Sequence, residues 1–441
     1  MSPHFNAAPS RVLVIGGGVA GCAAAIRFAH RGNEVTLAER ASFPREKICG
    51  CCLGAAGLRA LDAIGLAQSV RDLGVPTERF TGYLQIPRLS PTNTAPRVCA
   101  SEIHLPIAAG VAIARSVLDT FLVEQARQAG VRPWQPYEAQ IVSTDNNKTL
   151  VRYRSADGSQ KPHDWELTDE FDLVVVATGL SGDFSGSHSI PSSGASNANV
   201  NSDGSANPRR WQLPWIQSPH GPFGIAAHLP SQHPLACDWR LDEGEIEMIC
   251  GDEGYVGLVR LPGGAIDIAA ALRTSSQQVR PPSPTERLAA LLGSHPGCTD
   301  SLGERISDWL RSEARLMTAP PLRRTRWPGR GRVVAIGDCA GYVEPMTGEG
   351  MTWGIESGLA VADLWAKPGS QDDFANHWHT RLRALQQKRR ILCGSVTRAL
   401  RSPGLRRAAH FSLTRAPWLA MPITRSLAAG PTFAPTASRM P

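Results

Sequence analysis

The chain carries an uninterrupted apolar run, Val12 to Ile15, that ends at Gly16. An apolar run without polar alternation predicts a strand buried on both faces over Arg11–Ile15. Val19 to His30 then sets Ala, Ile and Phe at helical spacing, and Gly32 stops the helix. Glu34 to Leu37 reads as a second buried strand, closing at Ala38 and Glu39. Strand, glycine turn, helix and strand make one βαβ unit. The apolar run followed by glycine returns at Phe171 to Ala177, closed by Thr178 and Gly179, and at Arg332 to Ile336, closed by Gly337 and Asp338. Helical spacing predicts further helices over 55–65, 115–130 and 351–365.

Other segments follow a different rule. Residues 80–86, 102–113, 221–228, 245–250, 255–261 and 265–272 read as strands, with Pro262-Gly263-Gly264 as a turn. The fold class expected is α/β: a discontinuous nucleotide-binding domain (1–75, 111–182 and 318–375) with an inserted antiparallel β-sheet domain (76–110 and 209–317). The stretch 183–208 is Ser-, Gly- and Asn-rich, so it is expected to be a flexible loop. Residues 376–441 are expected to form a basic, helical C-terminal segment.

Composition adds three constraints. Hydrophobic content of 42% and charged content of 19% suit a soluble globular enzyme. No stretch reaches the roughly 18 to 20 apolar residues of a membrane-spanning helix. Met1 to Ser10 lacks the order of a secretory signal, so the expectation is cytoplasmic, with scattered, reduced cysteines. The net charge of +7 comes largely from the chain's end, where no acidic residue follows Asp373. That end is a candidate contact for an anionic membrane surface or an acidic carrier protein, against the plainer reading of solvated helix faces. No nucleic-acid motif accompanies it, so nucleic acid is not expected.

The candidate chemistry lies in the glycine turns. Gly16, Gly18 and Gly21 meet the G-x-G-x-x-G pattern between strand and helix. Gly16 permits the tight turn, Gly18 lets backbone amides approach a pyrophosphate, and Gly21 lets the helix pack on the strand. The helix N-terminus favours the phosphates, and Glu39 can accept hydrogen bonds from an adenosine ribose. The segment Gly337 to Gly350 sets an acid at a strand end, then Pro345, Gly348 and Gly350, then a helix beginning at Met351. Asp338 can take ribityl hydroxyls, and the glycines let backbone lie against an isoalloxazine, which points to FAD. Cys49, Cys51 and Cys52 lack a further ligand cluster for a metal; small residues packed near the flavin is the plainer reading, with a redox pair Cys49–Cys52 as the alternative.

These motifs resemble the glutathione-reductase-type FAD proteins of the p-hydroxybenzoate hydroxylase superfamily, in the branch of geranylgeranyl reductases and flavin-dependent halogenases. Phe43-Pro44-Arg45-Glu46-Lys47-Ile48-Cys49-Gly50, and the pair Arg115 and Asp119 at a helix start, carry the likeness. The resemblance implies a Rossmann-like FAD domain contacting its cofactor through Gly16, Gly18, Val19, Ala20, Gly21, Glu39, Arg40, Arg45, Arg115, Thr178, Gly179, Asp338, Pro345, Gly348, Gly350 and Met351. The Trp-x-Trp-x-Ile-Pro block of halogenases is missing. Tyr255 and Pro262 keep the ends of the reductases' Tyr-x-Trp-x-Phe-Pro block without its tryptophan.

The function expected is therefore FAD-dependent oxidation of an apolar or aromatic small molecule, a monooxygenase with NAD(P)H as transient reductant. The alternatives are an ene reductase of isoprenoid chains and a non-catalytic FAD-binding protein. No catalytic residue and no metal is assigned.

Overall fold

The structure is a computed structural model describing residues 9–87, 98–157, 165, 167–180, 211–274, 282–344, 346 and 348–435. The expected loop 183–208 and Pro345 lie outside these residues.

The apolar runs assemble as their pattern requires. Arg11–Ile15 pairs in parallel with Glu34–Ala38 on one side and Leu173–Val176 on the other. Val333–Ala335 and Arg132–Trp134 extend the same sheet, and Gly329–Arg330 adds an antiparallel edge strand to make six. Phe171 is not part of the central strand: it ends Leu167–Phe171 in a separate three-stranded meander with Tyr137–Thr144 and Thr149–Ser155.

One face of the parallel sheet is covered by the first helix, Val19–His30, which lies against Gly350–Trp365. Their approach is close because Gly358 has no side chain; a Cβ there would stand 2.6 Å from the Ala20 carbonyl oxygen. Arg27, fully buried on the first helix, locks this layer. Its Nε donates to Asp363 at 2.8 Å, and Nη2 reaches the Ala434 carbonyl at 2.9 Å.

The inserted domain is an eight-stranded sheet. It is antiparallel except at one pair, where Glu245–Cys250 runs parallel to Val75–Pro87. A parallel pair needs a long crossover, and here the chain passes through the nucleotide domain between the two strands. Helices Pro284–Gly293 and Asp300–Ser312 pack Leu288, Leu291, Leu292, Ile306 and Leu310 onto this sheet. The sequence reading omits both, although Ser283 and Glu286 form a capping box at the first.

The C-terminal segment differs most from expectation. It is helical, but Phe374–Arg401 is one 28-residue helix that begins before residue 376, followed by Pro403–Arg415 and Met421–Ala428. Several of its arginines are structural. Arg389 donates to Glu349 at 3.0 Å and to Glu356, joining the long helix to Gly350–Trp365. Arg401 pairs with Glu344, and fully buried Arg406 pairs with Asp252 and donates to the Gln85 carbonyl.

The helix contact at Gly358 is sterically closed, whereas the space beside Gly394, on the long helix, is open. Gly358→Val is expected to destabilise the fold by about 1–3 kcal/mol through overpacking. Gly394→Ala is expected to stabilise it by up to about 1 kcal/mol through helix propensity. Thermal unfolding of the two variants beside the wild type checks both signs.

Candidate active site

The turn after the first strand is shaped by two contacts. Gly21 sits where a Cβ would fall 1.8 Å from the Gly16 carbonyl oxygen, so only glycine lets the first helix begin there. Glu39, at the end of the second strand, accepts hydrogen bonds from the Gly17 amide at 2.7 Å and the Ala41 amide at 2.9 Å. The carboxylate thus holds the turn and keeps further acceptor capacity for hydroxyl donors.

Cations gather around this turn. The guanidinium of Arg115, the amine of Lys47 and the guanidinium of Arg45 lie 3.5, 3.6 and 3.8 Å from where a Gly18 Cβ would stand. Lys47 also comes within 2.8 Å of the Cβ position of Gly179, so it bridges the two glycine motifs. Arg115 is held by Asp119, Nε to Oδ1 at 2.9 Å and Nη2 to Oδ2 at 2.8 Å. Arg45 lies 3.3 Å from Glu39 and 3.6 Å from Asp119. Burial opposes the charge on Arg115, and Asp119 more than restores it. Burial also lowers the Lys47 ammonium, and Arg115 beside it lowers it further. A cationic cluster at the amino end of a helix, over side-chain-free backbone, fits a pyrophosphate.

Asp338 follows the strand Val333–Ala335 and faces the same cations. Burial raises its carboxyl to about 6, against the opposing pull of Lys47 and Arg115. A half-buried acid with spare acceptors suits the hydroxyls of a ribityl chain. Beyond it, Gly350 opens the helix Gly350–Trp365, and a Cβ there would lie 3.4 Å from the Tyr342 ring. Burial raises the neighbouring Glu349 to about 7, although Arg389 pulls it down.

Glu39, Arg45, Lys47, Arg115, Asp338, Glu349 and Gly350 line one cavity of about 770 Å³, within the range of small-molecule sites. Of the residues anticipated from sequence, Gly16, Gly18, Val19, Ala20, Glu39, Arg40, Arg45, Arg115, Thr178, Gly179, Asp338, Gly348, Gly350 and Met351 are in its wall. Gly21 is behind the wall as a packing residue. The reading from sequence missed Lys47 as a site residue. It also missed the opposite wall, which is apolar: Ile246, Met248 and Leu258 from the eight-stranded sheet, and Val396, Leu400 and Leu427 from the C-terminal helices. In that wall the Tyr255 hydroxyl is buried with no hydrogen-bond partner, and burial holds it in the neutral, proton-bearing form.

The cysteine cluster takes a different form from the Cys49–Cys52 pair considered from spacing. Cys49 is a free thiol hydrogen-bonded with Cys51 and with Arg115, which lower it despite burial. The hydrogen bond with Cys49, together with burial, raises Cys51, and burial raises Cys52 and the nearby carboxyl of Asp267, all well above their ordinary values. Among the described residues no group of His, Cys, Asp or Glu could hold a metal ion.

Fold and site together define an FAD-binding flavoprotein of the p-hydroxybenzoate hydroxylase type. Residues 10–243, more than half of the chain, match the FAD binding domain family, and the chain belongs to it. It is 24% identical over 375 residues to menaquinone reductase of Mycobacterium tuberculosis, covering 80% of this chain and 76% of the relative. It is 25% identical over 368 residues to chloroplastic geranylgeranyl diphosphate reductase of Nicotiana tabacum, covering 82% and 67%. Among solved structures, the flavin-dependent brominase Bmp2 superposes with a TM-score of 0.64 at 15% identity, covering 96% of this chain and 94% of that one. Klebsiella pneumoniae HpxO, in a variant complexed with FAD, superposes with a TM-score of 0.63 at 13% identity, covering 96% and 99%. At these identities the structural likeness speaks for the fold.

Two outcomes follow for the cofactor. Lys47→Met is expected to weaken FAD by roughly 1–3 kcal/mol, the scale of a lost charge-assisted hydrogen bond, with the fold intact by circular dichroism. Ribityl hydroxyls would donate to the ionised form of Asp338, so FAD affinity should be flat above pH 6 and fall toward tenfold per unit below it. Titration of apoprotein from pH 5 to 8 reads this slope, which Asp338→Asn should abolish.

Proposed function

We propose that this FAD-dependent oxidoreductase is a monooxygenase. It takes electrons from transiently bound NAD(P)H and acts on an apolar or aromatic small molecule in the cavity beside the flavin. The observation that carries this reading is the contrast between the cavity's two walls. The wall of the nucleotide domain bears Lys47, Arg45, Arg115 and Asp338, whereas the wall from the inserted sheet and C-terminal helices is mostly apolar and carries no charged residue. When bound, FAD supplies the redox chemistry, accepting electrons from a donor and passing them to oxygen or to substrate.

The chain's own residues exclude water and orient. Met248, Leu258, Val396 and Leu400 give a dry surface that favours an apolar substrate and disfavours charge. Tyr255 belongs to this wall, with its hydroxyl buried behind the surface that the substrate would meet.

A second reading, saturation of an isoprenoid double bond, is favoured by one observation. The relatives matched over most of the chain carry names of reductases, menaquinone reductase among them.

Anaerobic mixing with NADH or NADPH should bleach the flavin, and admitting oxygen should restore it. Substrate-coupled oxygen consumption is the expected result with an apolar phenol. Saturation of a polyprenyl chain without oxygen use would replace the first reading with the second.

A further inference from the structure

The helix Met421–Ala428 does two things at once. Ile423, Thr424, Leu427 and Ala428 line the cavity, and Ile423 is also 37% exposed to solvent. The cavity wall is therefore continuous with the outer surface at this helix. Immediately before it the chain presents Phe411, Trp418 and Leu419, exposed by 59%, 65% and 45%. They lie on Pro403–Arg415 and the turn Pro417–Ala420, which pack against one another and lead into Met421–Ala428. Burial of aromatic side chains is the rule in a folded chain, and a tryptophan, a phenylalanine, a leucine and an isoleucine exposed together mark a docking surface.

The charge around this patch selects the partner. No acidic residue occurs after Asp373. Arg389, Arg401 and Arg406 are consumed by internal carboxylates, but Arg415 and Arg425 stand exposed beside the apolar groups. The Arg415 guanidinium lies 3.8 Å from the centre of the Phe411 ring. Exposed aromatic and aliphatic side chains flanked by arginines, on short helices lying along the surface, match the chemistry of an anionic lipid interface.

We propose that the surface formed by Phe411, Trp418, Leu419 and Ile423, with Arg415 and Arg425, docks on an anionic lipid leaflet. The cavity then opens toward the membrane and takes a lipid-borne substrate directly. The access route rests on the apolar-substrate reading above; the docking does not. Trp418 and Leu419 enter the acyl boundary, the arginines meet lipid phosphates, and Ile423 marks the threshold between leaflet and cavity.

The test is flotation of the FAD-loaded protein with vesicles of phosphatidylcholine alone or mixed with phosphatidylglycerol, at low and high salt. Binding is expected to the anionic vesicles at low salt and to weaken as salt rises. Trp418→Ser combined with Leu419→Ser should lose binding at unchanged flavin content. Arg415→Gln and Arg425→Gln should each weaken it roughly five-fold, equivalent to about 1 kcal/mol per arginine near an anionic surface. No binding to anionic vesicles at low salt overturns the proposal, as does binding indifferent to the Trp418 and Leu419 substitutions. Retention by a soluble acidic protein without vesicle binding also overturns it, in favour of a carrier. Failure of the monooxygenase reading would show in oxygen uptake and leave flotation unchanged.

Discussion

The structure depends on one electrostatic constraint: three cationic side chains, Arg45, Lys47 and Arg115, must be held together at the amino end of the first helix. Like charges at such spacing repel, and burial adds to the cost. The fold answers with carboxylates set behind the cations. Asp119 clasps Arg115 and approaches Arg45, and Glu39 reaches both Arg45 and the turn itself. Lys47 is offset by Asp119 and by the half-buried Asp338. The positive potential left over is what a pyrophosphate would neutralise, and it would fix the place of the cofactor's phosphates relative to the rest of the cavity.

From that point outward the cavity changes character. Polar groups suited to ribityl hydroxyls come next, and then aliphatic side chains drawn from the inserted sheet and the C-terminal helices. The C-terminal segment is therefore part of the site. Its long helix is bolted to the helix Gly350–Trp365 by the buried pairs of Arg389 with Glu349 and Glu356. Because Glu349 stands at the N-cap position of that helix and lines the cavity, the ion pair also sets the local charge in the site.

The βαβ unit and the glycine motifs were legible in the sequence because their physics is local. An apolar run followed by G-x-G-x-x-G specifies strand, turn and helix within a few tens of residues, and the helix Val19–His30 lies where its periodicity ends it. Lys47 was harder to see. It sits in an aperiodic loop, and its role arises from Gly18 and Gly179, far from it or each other along the chain. The C-terminal arginines misled for the same reason. Arg401 and Arg406 look like solvated charges because Glu344 and Asp252 are distant in sequence. The apolar wall of the cavity was illegible for want of any local signal that Leu400 and Leu427 face the flavin domain rather than each other.

The central claim is that the cations around Gly18 cradle the FAD pyrophosphate, and a high-resolution crystal structure of the FAD complex tests it most directly. The account predicts phosphate oxygens within hydrogen-bond reach, about 3 Å, of the Gly18 amide and the Lys47 amine. A pyrophosphate bound elsewhere, with Lys47 turned to solvent and the Gly18 amide unoccupied, would contradict it.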